Sequence, residues 1–354
     1  MKKKLLIINR QQFGYHIDTY FYCKYLLKYY QITYICWDYN KPRIELEGVS
    51  VIYIPRTKIK FTRYLSFIRS VISEVNNEYD FYFIKYFIGS SLLKIRYPNK
   101  KYIFDIRTRF INYKPLKRAF LNKILYLESL FFTNITAISQ SLAIGLNLNL
   151  KKVHILPLGS DIISDNNKTY DSLNLLYVGT LFGRNIEQTV EGFAKFEEEY
   201  RDKINCTYKI IGSGYYDEED KLKKQVNNLQ LESKIKVLGR IPHEQLTPYF
   251  DECNIGVSYI PMTEHFDSQP PTKTFEYILS GMPTIGTNTT ENKKIIHETN
   301  GVLIDDNPND FYCGLCELHK NKEKYNSNAI RLTCNSNTWE NIVENNLRKY
   351  LEEV

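Results

Sequence analysis

Short apolar runs, rich in β-branched and aromatic residues, recur along the whole chain, and longer amphipathic or polar stretches separate them. Several, such as Leu5-Leu6-Ile7-Ile8, are apolar at consecutive positions. Strand side chains alternate between faces, so such a run needs cover on both sides, as parallel strands between two helix layers have. The pattern predicts strands near 4–9, 32–37, 49–54, 81–86, 101–106, 135–138 and 153–156 in the first half. In the second half it predicts them near 174–179, 207–211, 235–238, 255–260, 283–287 and 302–304. Strand–helix alternation in two sets predicts an α/β chain of two Rossmann-like doubly wound domains facing across a cleft. A length of 354 residues is enough for both to have cores.

The divide is expected at Leu156-Pro157-Leu158-Gly159-Ser160-Asp161, which runs into the polar linker Ser164-Asp165-Asn166-Asn167-Lys168. That gives an N-terminal domain over 1–160, a C-terminal domain over 161–337 and a final helix over 338–354. Charge changes sign at the same place. Residues 1–160 hold 26 Lys and Arg against 9 Asp and Glu, which leaves 21 against 31 of the chain's 47 and 40. A basic first half suggests an anionic partner. Nucleic acid is not expected, because no recognition motif occurs and the acidic second half would repel phosphates.

Seven cysteines, at 23, 36, 206, 253, 313, 316 and 334, are odd in number and scattered, which suits reduced thiols better than a disulfide framework. Cys313, Cys316 and His319 share a helical spacing, but no second pair completes four metal ligands, so they read as core residues. Leu5–Asn9 is too short for the apolar core of a secretion signal, and no run approaches the roughly 18 apolar residues that cross a bilayer. A cytoplasmic location is expected, with any membrane contact peripheral.

Five segments in the second half form an ordered series. Leu156–Asp161 looks like an "IPNGVD" interdomain segment. Leu176-Tyr177-Val178-Gly179-Thr180-Leu181, with Arg184-Asn185, looks like "VGRL…K". Ile210-Ile211-Gly212-Ser213-Gly214 matches "IxGxG", and Val237-Leu238-Gly239-Arg240-Ile241-Pro242 with Glu244-Gln245-Leu246 matches "FxGxVP…EEL". The most specific is Pro271-Thr272-Lys273-Thr274-Phe275-Glu276-Tyr277, running on to Gly281-Met282-Pro283, which is close to "PxKxxEYxAxGxPVI". In this order they resemble the family-4 glycosyltransferases, retaining enzymes of the GT-B fold, in the branch with the PxKxxEY signature. The resemblance implies a sugar-nucleotide donor, UDP- or GDP-linked. It implies donor contacts from Gly14, Gly179, Thr180, Gly212, Gly214, Arg240, Ile241, Ser268, Thr272, Lys273 and Glu276.

The residue chemistry agrees. A diphosphate leaving group gains negative charge as the glycosidic bond breaks, and cations and helix N-termini aimed at it favour the transition state. Lys273 lies just inside a helix expected to start after Pro270-Pro271, where free N–H groups form an anion site. Arg184, in the loop after a strand, is the second cation. Glu276 follows Lys273 by three residues, on the same helix face. The resemblance makes it the acceptor of the ribose hydroxyls, while spacing alone equally allows a solvated ion pair. Lys273, Arg184 and Glu276 are the expected catalytic set. The family usually carries a glutamate eight residues before the ribose-binding one. Ser268 stands there in this chain, with Glu264 and Asp267 as nearby substitutes. No Asp-x-Asp pair sits in a suitable loop, so no metal and no cofactor is expected.

In the first half, Gly14 sits in the loop after the first strand, where glycine permits close backbone approach. His16 could contact phosphate or an acceptor hydroxyl, or have no role. Asp105 and Arg107 alternate with Ile106 at a strand end. They are expected to emerge there and contact the acceptor, the alternative being a structural ion pair. The basic, aromatic segment 55–69 and the basic amphipathic stretch 114–132 suit attachment to an anionic membrane surface. The resulting expectation is sugar transfer to a saccharide or undecaprenyl-diphosphate-linked acceptor in bacterial surface polysaccharide, lipopolysaccharide or capsule synthesis. Its alternatives are a GT-B-fold sugar-nucleotide epimerase and a noncatalytic sugar-nucleotide or anionic-surface binder.

Overall fold

The protein is represented by a computed structural model described over residues 2–110, 114–267 and 271–354. It divides into two compact units, one of Met1–Leu158 with Trp339–Val354, the other of Gly159–Thr338.

Among the described residues the first unit holds seven strands, β1 (Lys3–Ile8), β2 (Tyr30–Asp38), β3 (Val49–Pro55), β4 (Phe81–Lys85), β5 (Tyr102–Ile106), β6 (Ile135–Ala137) and β7 (Val153–Ile155). They form one parallel sheet in the order β3-β2-β1-β4-β5-β6-β7. Helices α1 (Ile17–Leu26), α2 (Lys60–Val75), α3 (Ser91–Arg96), α4 (Pro115–Ser129) and α5 (Gln140–Gly145) connect them. Leu5 to Ile8 and Phe81 to Ile84 are buried at consecutive positions, as central strands covered on both faces must be. Order reverses between β1 and β4, the place where an open parallel sheet leaves a crevice at its carboxyl edge. The C-terminal run 339–353 packs on this unit. Trp339 stacks on Phe21 with centroids 5.2 Å apart, His154 stacks on Tyr350 at 4.1 Å, and the Tyr29 hydroxyl donates to Glu344 Oε2 at 2.6 Å.

The second unit holds β8 (Ser172–Val178), β9 (Asn205–Ile211), β10 (Ile235–Val237), β11 (Ile255–Ser258), β12 (Thr284–Thr287) and β13 (Gly301–Ile304). Their parallel sheet runs β10-β9-β8-β11-β12-β13, with the reversal between β8 and β11. The intervening helices are α6 (Glu187–Tyr200), α7 (Glu218–Asn228), α8 (Thr247–Glu252), α9 (Glu264–Asp267), α10 (Thr272–Leu279), α11 (Pro308–Lys320) and α12 (Ser327–Thr333). All seven cysteines are free thiols. No helix among the described residues is long and apolar enough to cross a membrane.

Candidate donor site

The carboxyl edge of the second sheet is built around the ends of β8, β9 and β11. The Gly179 N–H donates to Ile211 O at 3.0 Å, which keeps the chains leaving β8 and β9 together. A Cβ at Gly212 would lie 1.8 Å from the Gly179 carbonyl oxygen, so only glycine permits that approach. Gly179, Thr180, Gly212, Gly214, Tyr215, Arg240 and Ile241 line a cavity of about 340 Å³, within the usual span for small-ligand sites of about 300–1,000 Å³. A second lobe of about 190 Å³ shares Gly179 and Thr180 with the first and adds Arg184, Ser258, Thr272 and Lys273.

Helix α10 begins at this second lobe. Pro271 precedes it in an extended conformation, φ −80°, which sets the chain for the first turn. The Thr274 hydroxyl lies 2.7 Å from Ser258 Oγ and 3.1 Å from Asn292 Oδ1, pinning the helix start to the end of β11. Deeper in α10, the buried Tyr277 hydroxyl accepts the Val178 N–H at 2.8 Å, tying the helix to the end of β8.

These anchors fix Lys273 and Glu276. Lys273 Nζ lies 2.5 Å from Glu276 Oε2, and His243 Nε2 lies 3.5 Å from the other oxygen. The Glu276 side chain is only 6% exposed, so this is no solvated surface pair. Burial acts to raise the Glu276 carboxyl, but His243 and then Lys273 outweigh it and hold the group below its ordinary value. A buried carboxylate with a polar neighbour on each oxygen can take the hydroxyls of a bound sugar. Arg184 pairs with no carboxylate among the described residues. Its guanidinium lies 4.1 Å over the Phe266 ring, and burial lowers its pKa against an opposing pull from Tyr177. One lobe thus gathers two cations and a helix N-terminus, an arrangement that accommodates phosphate oxygens.

Lys273, Glu276, Arg184, Thr272, Gly179, Thr180, Gly212, Gly214, Arg240 and Ile241 are therefore brought to one edge of one unit. Ser268 lies outside the described residues, as does the Glu264 side chain. Both Asp267 oxygens are taken by Thr290, whose N–H and hydroxyl donate at 2.8 and 2.6 Å. Sequence reasoning missed His243. Its one signal was its place directly beyond the Arg240-Ile241-Pro242 turn.

The remaining predicted residues lie in the first unit. Gly14 has φ +83°, and a Cβ there would meet the Ile44 side chain at 2.5 Å. Its freedom serves a tight turn packed on Ile44. His16 caps α1, its Nδ1 accepting the Thr19 N–H at 3.3 Å. Burial first, then Lys85, pushes its pKa down to about 3, so the ring is neutral at ordinary pH. The expectation that Asp105 and Arg107 emerge from the strand end is corrected, because both are buried. Arg107 Nε lies 2.7 Å from Asp18 Oδ2, and Nη1 donates to Leu156 O at 2.6 Å. Asp105 Oδ1 accepts the Thr136 hydroxyl at 2.8 Å and lies 3.8 Å from Arg107 Nη1. Strand β5 is interior to the sheet, so charges at its end need partners within the fold. Burial raises Asp105 to about 6 despite Arg107.

Residues 172–321 match the sequence model of the family described as Glycosyl transferases group 1. No curated protein matches the chain. A glycosyltransferase structure from Rickettsia africae is 15% identical, with a TM-score of 0.75 over 99% of this chain and 98% of that one. HepE from Anabaena, in complex with UDP, is 13% identical, with a TM-score of 0.76 over 100% of both chains. The lipopolysaccharide outer core galactosyltransferase WaaB, in its apo form, is 14% identical, with a TM-score of 0.71 over 100% of this chain and 99% of that one. At such identities likeness establishes architecture, so the chain has the GT-B fold, and its residues 172–321 match the glycosyl transferases group 1 model.

Proposed function

We propose that this protein is a retaining, family-4-type glycosyltransferase that moves a hexosyl group from a UDP- or GDP-sugar to a saccharide acceptor. The observation that carries the reading is the Lys273–Glu276 pair at the start of α10, its carboxylate buried and its lysine part-exposed, beside Arg184 and a two-lobed cavity, inside the matched segment. Glu276 takes the ribose hydroxyls, and Lys273 and Arg184 take the diphosphate. The bond from the sugar's anomeric carbon to the diphosphate oxygen breaks, and a bond from that carbon to the acceptor oxygen forms on the same face. The acceptor proton passes to a leaving-group phosphate oxygen. Charge grows on the diphosphate along this path, so the two cations stabilise the transition state more than the ground state. The reaction proceeds without metal or cofactor, consistent with a sequence that lacks an Asp-x-Asp loop.

The acceptor is lipid-linked, at the inner face of a bacterial membrane, in surface polysaccharide synthesis. Exposed Ile59, Phe61 and Leu65 at the start of α2, and Leu116 and Phe120 on α4, support that part, lying among Arg56, Lys58, Arg63, Lys117 and Arg118. The relative WaaB, named for lipopolysaccharide outer core, points the same way. A panel of sugar nucleotides incubated with an undecaprenyl-diphosphate-linked saccharide tests the proposal. One donor should release nucleoside diphosphate only when acceptor is present, with product of unchanged anomeric configuration. Inverted product, or release that ignores the acceptor, would contradict it.

A further inference from the structure

We infer that an exposed aromatic shelf formed by Tyr215, Tyr216 and Phe182 seats the donor's nucleobase, with Tyr215 as the ring on which the base stacks. The inference rests on the donor-site reading above and adds to it a residue that neither the motifs nor the cations identify. Tyr215 and Tyr216 are 81% and 80% exposed, adjacent in the loop between β9 and α7, where nothing in the fold requires two large rings in water. They are nonetheless arranged. Phe182 meets Tyr215 edge-to-face, with centroids 5.3 Å apart, and lies 5.9 Å from Tyr216. The loop beneath them is held as well. The Tyr216 N–H donates to Glu218 Oε2 at 2.9 Å, and a Cβ at Gly214 would fall 1.9 Å from that same oxygen. Fixed rings lose little conformational freedom when a ligand lies on them.

Tyr215 lines the larger lobe together with Gly212, Gly214 and Ile241. The two lobes share the Gly179–Thr180 backbone, and the cations Arg184 and Lys273 line the smaller one. Glu276 is reached from both directions, by Lys273 of the smaller lobe and by His243, which follows Arg240 and Ile241 of the larger. A ribose held on Glu276 with its diphosphate toward the cations sends its base into the larger lobe, where Tyr215 stands. Every nucleobase has a flat π face, and stacking on an aromatic side chain holds it without selecting among bases.

Calorimetric titration with UDP and with GDP tests the shelf in the full chain, comparing wild type, Tyr215→Ala and Tyr215→Phe. The nucleotide that binds wild type should bind Tyr215→Ala about ten-fold or more weakly, while Tyr215→Phe stays within about two-fold. Unliganded melting temperatures should be unchanged, since the side chain is mostly in water. Tyr215→Ala affinity equal to wild type, with Lys273→Ala still weakened, would overturn the shelf and leave the donor site standing. Failure of wild type to bind either nucleotide would overturn both.

Discussion

Glu276 takes its meaning from its surroundings. Three residues from a lysine, a glutamate is equally consistent with a surface ion pair and a ligand site. Burial, with Lys273 on one oxygen and His243 near the other, excludes the solvated surface pair, and the ligand role rests on the proposal above. Its position was legible because it lies within a continuous motif. His243 lies 33 positions away and was not, since only folding brings it to the carboxylate. The same reason explains Asp105, Arg107 and Gly14. Alternation showed which face the first two share, but the partners that bury Arg107, Asp18 and the Leu156 carbonyl, come from distant segments. Ile44 likewise fills the space beside Gly14 from 30 residues downstream. Asp105 offers a test at this scale. Its folded-state value of about 6 lies above the ordinary 3.8, so the folded protein binds more protons between the two. The contribution is fully present below 3.8 and lost as pH rises through 6. The melting temperature of wild type relative to Asp105→Asn should therefore fall from about pH 4 to about pH 6 and level off above it. A difference independent of pH would contradict the burial account.

The central strands could be read from their own residues because consecutive apolar positions survive only in strands covered on both faces, whereas β7 and β10 show only a short apolar–polar–apolar alternation. Strand ends shifted by a residue or two where ladder pairing outruns the apolar run, as at Ser172 and Asn205, polar residues paired across β8 and β9. The start of α10 was legible for a local reason too, since Pro271, itself extended, directly precedes its first turn. Helices α2 and α4 have a feature that packing does not use. Phe61 is 72% and Phe120 65% exposed, on a unit rich in Lys and Arg. Near an anionic leaflet each basic residue contributes about 1 kcal/mol, and inserted aromatics add apolar burial. Flotation with phosphatidylglycerol vesicles should carry wild type upward and leave a Phe61→Ser/Phe120→Ser variant largely behind. Equal flotation of both, or of neither, would rule out this surface as the membrane contact.

Across the whole molecule, charge and chemistry divide along the same line. The basic unit carries the buried Asp18–Arg107–Asp105 cluster and the exposed aromatic helices. The acidic unit carries the cavity, the cations and the matched domain. Under the proposed function an acidic unit must hold a diphosphate against its overall field, and Arg184, Lys273 and the α10 N-terminus are the local positive charge assigned to that task. The most direct measurement is a titration of the full chain with UDP and GDP, on wild type, Lys273→Ala and Glu276→Ala. One nucleotide should bind wild type and bind each variant at least about ten-fold more weakly, as expected when a charge-assisted contact is removed. Binding of neither nucleotide, or unchanged affinity in both variants, would contradict the assignment of this edge as the donor site.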